Sequence, residues 1–143
     1  MLKGINPLLG PELLHILRAM GHGDEIAIVD GNYPAERDAE RLVRMEGHGA
    51  PIIVDAVLSV MPLDDFAQSV FRPGIFNKAD HLEPIMISLQ KAVSRHEPKA
   101  ILEPLMGQAF YDRVKGAYAI IASGEPALYG NIILRKGVIR PEA

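Results

Sequence analysis

Residues 10–34, GPELLHILRAMGHGDEIAIVDGNYP, decide the fold: they read as a short helix, a histidine between two glycines, an apolar strand and an aspartate, in that order. Pro11 suits the first helical position, where its fixed φ and missing N–H cost nothing, and Glu12 complements the positive end of the helix dipole. Leu13, Leu14, Ile16, Leu17 and Met20 recur with the helical period and form one apolar stripe. Gly21 is expected to end the helix in a left-handed conformation, which a residue without Cβ enters freely. Glu25 to Val29 is short and almost wholly apolar, the pattern of a strand covered on both faces, with Asp30 at its carboxyl end. Gly31-Asn32-Tyr33-Pro34 then turns the chain.

The alternation continues outward from this unit. Leu2, Ile5, Leu8 and Leu9 are expected to pack the amino terminus down, and Ala35 to Met45 holds a helical turn followed by a strand from Arg41. Pro51 opens a second helix whose inward stripe is Ile52, Ile53, Ala56, Val57 and Val60, with Pro62 as its stop. Ser69 to Arg72 has the content of a short strand that Pro73 and Gly74 end at once. His81 to Arg95 reads as a third helix, with Ile85, Leu89, Ala92 and Val93 on one face and Pro84 in its first turn. Ile101 to Met106 is a strand whose Pro104 suits an edge, Phe110 to Lys115 a fourth helix, and Ala117 to Ala122 and Ile132 to Leu134 two further strands. Short helices alternating with apolar strands predict an α/β sandwich with helices on both faces of the sheet, in one domain spanning residues 1–143.

Composition narrows the function. A net charge of −3 gives no basic footprint, so no nucleic-acid partner is expected. No apolar run is long enough to span a bilayer, so no membrane partner is expected either. The chain has no cysteine, which fits a reducing compartment, and no amino-terminal signal pattern is visible; the expected location is cytoplasmic.

The chemistry concentrates in few places. His22, between Gly21 and Gly23, can both give and take a proton near neutral pH, since an unperturbed histidine has a pKa of about 6.5. Asp30 is the matching anion. By spacing alone a plain structural reading stands beside this one, with His22 capping the preceding helix and Asp30 the next. Gly47-His48-Gly49 repeats the motif and marks a second loop histidine beside a pocket. Tyr129-Gly130-Asn131 groups a hydroxyl and an amide around a glycine, an array suited to a polyhydroxylated ring, although the same residues also read as a hairpin turn. The histidines show no HExxH spacing, so no metal site is expected, and Gly21-His22-Gly23 precedes a strand where a dinucleotide fingerprint would follow one.

Two runs carry a family resemblance. The amino-terminal residues MLKGINPLL (1–9), Pro11 to Leu14 and MGHGDEI (20–26), with the carboxyl-terminal AFYDR (109–113) and GEPALYGNIILRKGV (124–138), resemble the L-fucose mutarotase and D-ribose pyranase family, RbsD/FucU. Gly23-Asp24-Glu25 and Tyr129-Gly130-Asn131 lean toward the fucose branch. The resemblance implies a Rossmann-like three-layer α/β/α fold and a cofactor-free isomerase that interconverts the α and β anomers of a reducing monosaccharide, most simply L-fucose. By the same resemblance His22 is the proton donor, Asp30 binds substrate or orients the histidine, and Tyr129, Gly130 and Asn131 bind the sugar. Relatives form rings or dimers with sites at subunit boundaries, so a homo-oligomer is implied. Two other readings stay open: a D-ribose pyranase, and a non-catalytic monosaccharide-binding partner of sugar transport.

One position departs from the family pattern. Where fucose-type relatives carry arginine and ribose-type relatives histidine, this chain has Gly107 followed by Gln108; Gln108 and Arg72 are the candidates to fill the gap. Spacing raises a second difficulty. If residues 24–30 are extended at about 3.3 Å each, Asp30 lies roughly 20 Å from His22, too far for both to touch one sugar. The segment folds back, Asp30 has another role, or neighbouring subunits share the site.

Overall fold

The computed structural model describes residues 1–142. Five helices and six strands alternate: α1 (Pro11–Ala19), β1 (Glu25–Val29), α2 (Ala35–Asp38), β2 (Leu42–Met45), α3 (Ala50–Leu58), β3 (Val70–Gly74), α4 (Pro84–Ser94), β4 (Glu103–Met106), α5 (Gln108–Lys115), β5 (Ala119–Ser123) and β6 (Ile132–Arg135). The strands form one sheet in the order β2-β5-β1-β6-β3-β4. The β2–β5, β5–β1 and β3–β4 pairs are parallel, while β6 runs antiparallel to both β1 and β3. Five strands therefore point one way, and their carboxyl ends share one edge of the sheet with the start of β6.

Period-two alternation divides the central strands between two cores. Ile26 and Ile28 of β1, with Ala119 and Ile121 of β5 and Ile132 and Leu134 of β6, face the core that includes α1, α3 and α4. Ala27, Val29, Ile120, Ala122 and Ile133 face the other, built with Ala35 of α2 and Phe110 and Val114 of α5. This is the expected three-layer sandwich. Leu13, Ile16 and Leu17 are the buried face of α1, as their spacing predicts.

Several boundaries differ from the sequence reading, each for a reason outside the local pattern. Helix α1 ends at Met20 in an extended conformation, and the left-handed residue is Gly23 (φ +89°) instead of Gly21. Strand β3 runs through Pro73 and Gly74 instead of stopping before them. Its pairing with β6 ends at Phe71 and only β4 flanks it beyond, so a proline there leaves the open side short of nothing. On α3, Val54 is buried and Ile52 is 56% exposed, because the helix starts at Ala50 and its stripe is rotated by one position. Helix α4 begins at Pro84, its first-turn proline, and not at His81. Pro104 does sit on an edge strand, β4. The 124–131 segment is no hairpin, since β5 and β6 lie on opposite sides of β1.

Candidate functional site

The sheet topology places the site. Asp30 follows β1 at the edge where the parallel strands end, the edge at which open α/β sheets hold their ligands. Asn131 precedes the antiparallel β6 and so arrives at the same edge. The two lock together: the Asp30 N–H donates to Asn131 Oδ1 (2.7 Å), and Asn131 Nδ2 donates to Asp30 Oδ2 (3.0 Å). The Asn32 N–H donates to the other oxygen, Oδ1 (2.8 Å). Asp30 and Asn131 are 7% and 3% exposed, so this carboxylate is nearly buried, with an N–H donor on each of its oxygens.

A cavity of about 390 Å³ opens on these groups, lined also by Tyr33, Gln108, Tyr111 and Tyr129. The Tyr33 and Tyr111 rings stack at 6.3 Å, and the Tyr33 hydroxyl donates to Asp38 (2.8 Å). Burial, first, and the bond to Asp38 push the Tyr33 pKa far above its ordinary range, so the hydroxyl remains a donor. Burial likewise raises the pKa of Tyr111. An aspartate, an amide and several phenols around a partly apolar hollow can grip a polyhydroxylated ring.

Three expectations are revised here. Gly130 is not among the cavity-lining residues; a Cβ there would meet Glu125 Cγ at 2.8 Å and Ile85 Cγ1 at 3.2 Å, so the glycine lets the turn press onto its own protein. Arg72 does not fill the place of the missing family residue, being buried and bonded to the carbonyls of Pro73, Ala79 and His81. Gln108 does line the cavity. Gly107 has φ +55° and ψ −133°, a conformation that side chains avoid. His48 lies outside the cavity, its backbone pairing with Met45 and Gly124.

His22 is at the other edge. It precedes β1, and β1 is fully extended between it and Asp30, so the chain does not fold back. Its Nε2 lies 3.0 Å from Asp64 Oδ1, and its ring packs 5.3 Å from that of Phe66. Asp64, not Asp30, orients the histidine within one chain. Asp64 is 4% exposed and also accepts from the Phe66 N–H (3.0 Å) and Arg135 Nε (2.8 Å). Arg135 approaches Glu25 at 4.0 Å, and Arg113 grips Glu25 through two nitrogens at 2.9 and 2.7 Å. The guanidinium of Arg135 also passes 3.1 Å from where a Cβ of Gly23 would stand, so the second glycine of the Gly-His-Gly run makes room for the histidine's own support.

Burial alone would raise the Asp64 pKa; the bonds from Phe66 N–H, Arg135 and His22 outweigh it and hold the carboxyl at about 2, below its ordinary 3.8. Because the folded value is the depressed one, the stabilisation is complete above about pH 4 and is lost as pH falls toward 2. Between those limits the wild type should lose roughly 2 kcal/mol more than Asp64→Asn does. Urea titrations across that range check this, and parallel profiles would refute it.

Asp64 and Arg135 were not singled out by the sequence. Asp64 stands 42 residues from His22, and no local pattern links them. Tyr111 lay inside a run that carried the family resemblance, which was its one available signal.

The chain is 42% identical to the fucose mutarotase of Bos taurus, over 99% of this chain and 97% of that protein. A crystal structure of the fucose mutarotase of Streptococcus pneumoniae in complex with L-fucose superposes with a TM-score of 0.88 at 39% identity, covering 97% of this chain and all of the other. Bacillus subtilis RbsD complexed with D-ribose shares the fold, with a TM-score of 0.72 at 22% identity over 98% of this chain and all of the other. The family model of the RbsD / FucU transport protein family matches residues 3–139, and the chain belongs to that family.

Proposed function

We propose that this protein is a sugar mutarotase, an isomerase that interconverts the α and β anomers of L-fucose by general acid/base opening of the ring. The observation that carries this reading is the match over nearly the whole chain to fucose mutarotases, joined to a cavity built around Asp30, Asn131 and Tyr129. Opening a hemiacetal requires a proton on the ring oxygen and loss of the anomeric hydroxyl proton; closure on the other carbonyl face returns both and gives the other anomer. Protons and electrons balance without any cofactor. In this reading His22 is the proton donor, held by Asp64. Asp30 and Tyr129 hold sugar hydroxyls, and Asn131 works mainly through Asp30, since both ends of its amide already bind that residue.

One chain supplies only halves of such a site, because His22 and Asp30 sit at opposite edges of the sheet. We therefore read the active form as a homo-oligomer in which His22 of one subunit enters the cavity of its neighbour. Exposed apolar residues beside each half support this: Phe66, 68% exposed, lies against His22, and Leu128, 63% exposed, lines the cavity. Among the described residues no helix is long and apolar enough to cross a membrane, and the lack of cysteine fits work in the cytoplasm.

The same separation favours a second reading, a monosaccharide-binding partner of transport, since a cavity without His22 could bind and not turn over. Saturation-transfer NMR of anomeric protons, with L-fucose and D-ribose in parallel, separates the two. Accelerated L-fucose exchange is the expected result; acceleration of ribose alone would make the protein a pyranase, and binding without acceleration would make it a binder.

A further inference from the structure

We propose that Phe76, at the tip of the loop between β3 and α4, is a positioning residue of the sugar cavity that sets the Tyr129 ring in its wall; this rests on reading that cavity as the sugar site. The loop leaves β3 at the same sheet edge as Asp30. It begins with a tight turn, Ile75 to Lys78, closed by the Lys78 N–H donating to the Ile75 carbonyl (3.0 Å). Its central residues, Phe76 and Asn77, have φ of +57° and +53°. That sign pattern belongs to the mirror-image turns that asparagine and glycine fill at little cost. A phenylalanine there is strained.

The strain is held from within. Arg72 sits under the loop, 4% exposed, with Nη2 donating to the Ala79 carbonyl (2.7 Å) and Nη1 to the carbonyls of His81 (3.2 Å) and Pro73 (3.3 Å). Its Nε stays unpartnered in the interior, so a charged side chain is spent on fixing loop backbone.

What that fixing secures is the ring of Phe76. It is 60% exposed, yet it packs edge-on against His81 (centroids 5.1 Å apart, planes at 73°) and against Tyr129 (6.1 Å, 78°). His81 is itself held by Glu83 at 3.1 Å. Tyr129 lines the cavity and has φ +64°. Among the described residues, all three non-glycine positions with positive φ are Phe76, Asn77 and Tyr129. Strain gathered at one place, beside a binding cavity and over-determined by its surroundings, marks a functional constraint.

The test exploits the turn chemistry. Phe76→Asn installs a residue the turn prefers and removes the ring, so its thermal midpoint should equal or exceed that of the wild type. The KM for L-fucose in the NMR exchange assay should nonetheless rise about three- to tenfold, the worth of an aromatic pair, with kcat changing less. Phe76→Tyr should restore it. In protein labelled at its tyrosines with 13C, Phe76→Asn should move the Tyr129 ring resonance in the absence of sugar. An unchanged KM, or an unmoved Tyr129 signal, overturns the proposal. A wild type that does not accelerate exchange defeats the mutarotase reading instead, and the Tyr129 signal still decides the positioning role. Should Phe76→Asn fold poorly, the strain argument fails, and Phe76→Leu carries the two remaining measurements.

Discussion

His22→Ala is expected to lower the accelerated exchange of L-fucose anomers by about 10² to 10⁴, the usual contribution of a positioned proton donor, while leaving the fold and most of the sugar affinity in place. The reaction proceeds slowly in water unaided, so loss of one donor returns it toward that background. His22 is well suited to removal without collapse: its side chain is 44% exposed, and its loop is held by backbone bonds, Asp24 N–H to the Gly21 carbonyl (3.1 Å) and Gly23 N–H to the Lys136 carbonyl (2.9 Å). Asp64→Asn tests the support separately. A hydrogen bond to a charged group is worth about 1.5–3 kcal/mol, so a ten- to hundredfold loss is expected if the bond to His22 strengthens as the proton moves. Exchange rates for the wild type and both variants at equal concentration settle the matter. If His22→Ala kept full exchange, this histidine would not be the donor.

How far the sequence foretold this arrangement depends on how local each cause is. The sandwich was legible because its cause is local: the four residues from Ile26 to Val29 are all apolar, so both faces of that strand had to be covered, and Ile26 and Ala27 do face different cores. Pro104 announced an edge by its missing donor. Pro73 misled because its tolerance depends on where a different strand, β6, stops. Gly21 and Gly23 are equivalent on paper; the left-handed φ of Gly23 and the passage of Arg135 beside it distinguish them, and that arginine is more than a hundred positions away. The candidate site divides the same way. Asp30, Tyr129 and Asn131, which the family resemblance picks out, line one cavity. The histidine's partner was hidden, since a buried ion pair between distant loops leaves no periodic trace.

An extended β1 keeps His22 and Asp30 roughly 20 Å apart within one chain, and folding back is no escape from that distance. It leads to the second large effect. His22→Ala and Asp30→Asn should each be inactive when purified alone, yet an equal mixture, dissociated and reassembled, should recover activity. If each site draws His22 from one subunit and Asp30 from its neighbour, random assortment leaves about a quarter of sites with both residues intact, so activity should rise from near zero to about a quarter of the wild-type level. A site contained in one chain gives no such recovery, since every chain in the mixture still lacks one group. The wild type carried through the same reassembly calibrates the yield, and the Asp30→Asn sample reassembled alone supplies the baseline. Substituting a charged residue for Phe66 or Leu128, the exposed apolar residues beside the two halves, should yield monomers that retain the cavity and lose exchange. Full activity in a monomer verified by sedimentation would refute the shared site outright, and recovery well below a quarter, with the wild-type control intact, would mean that His22 and Asp30 do not meet across subunits.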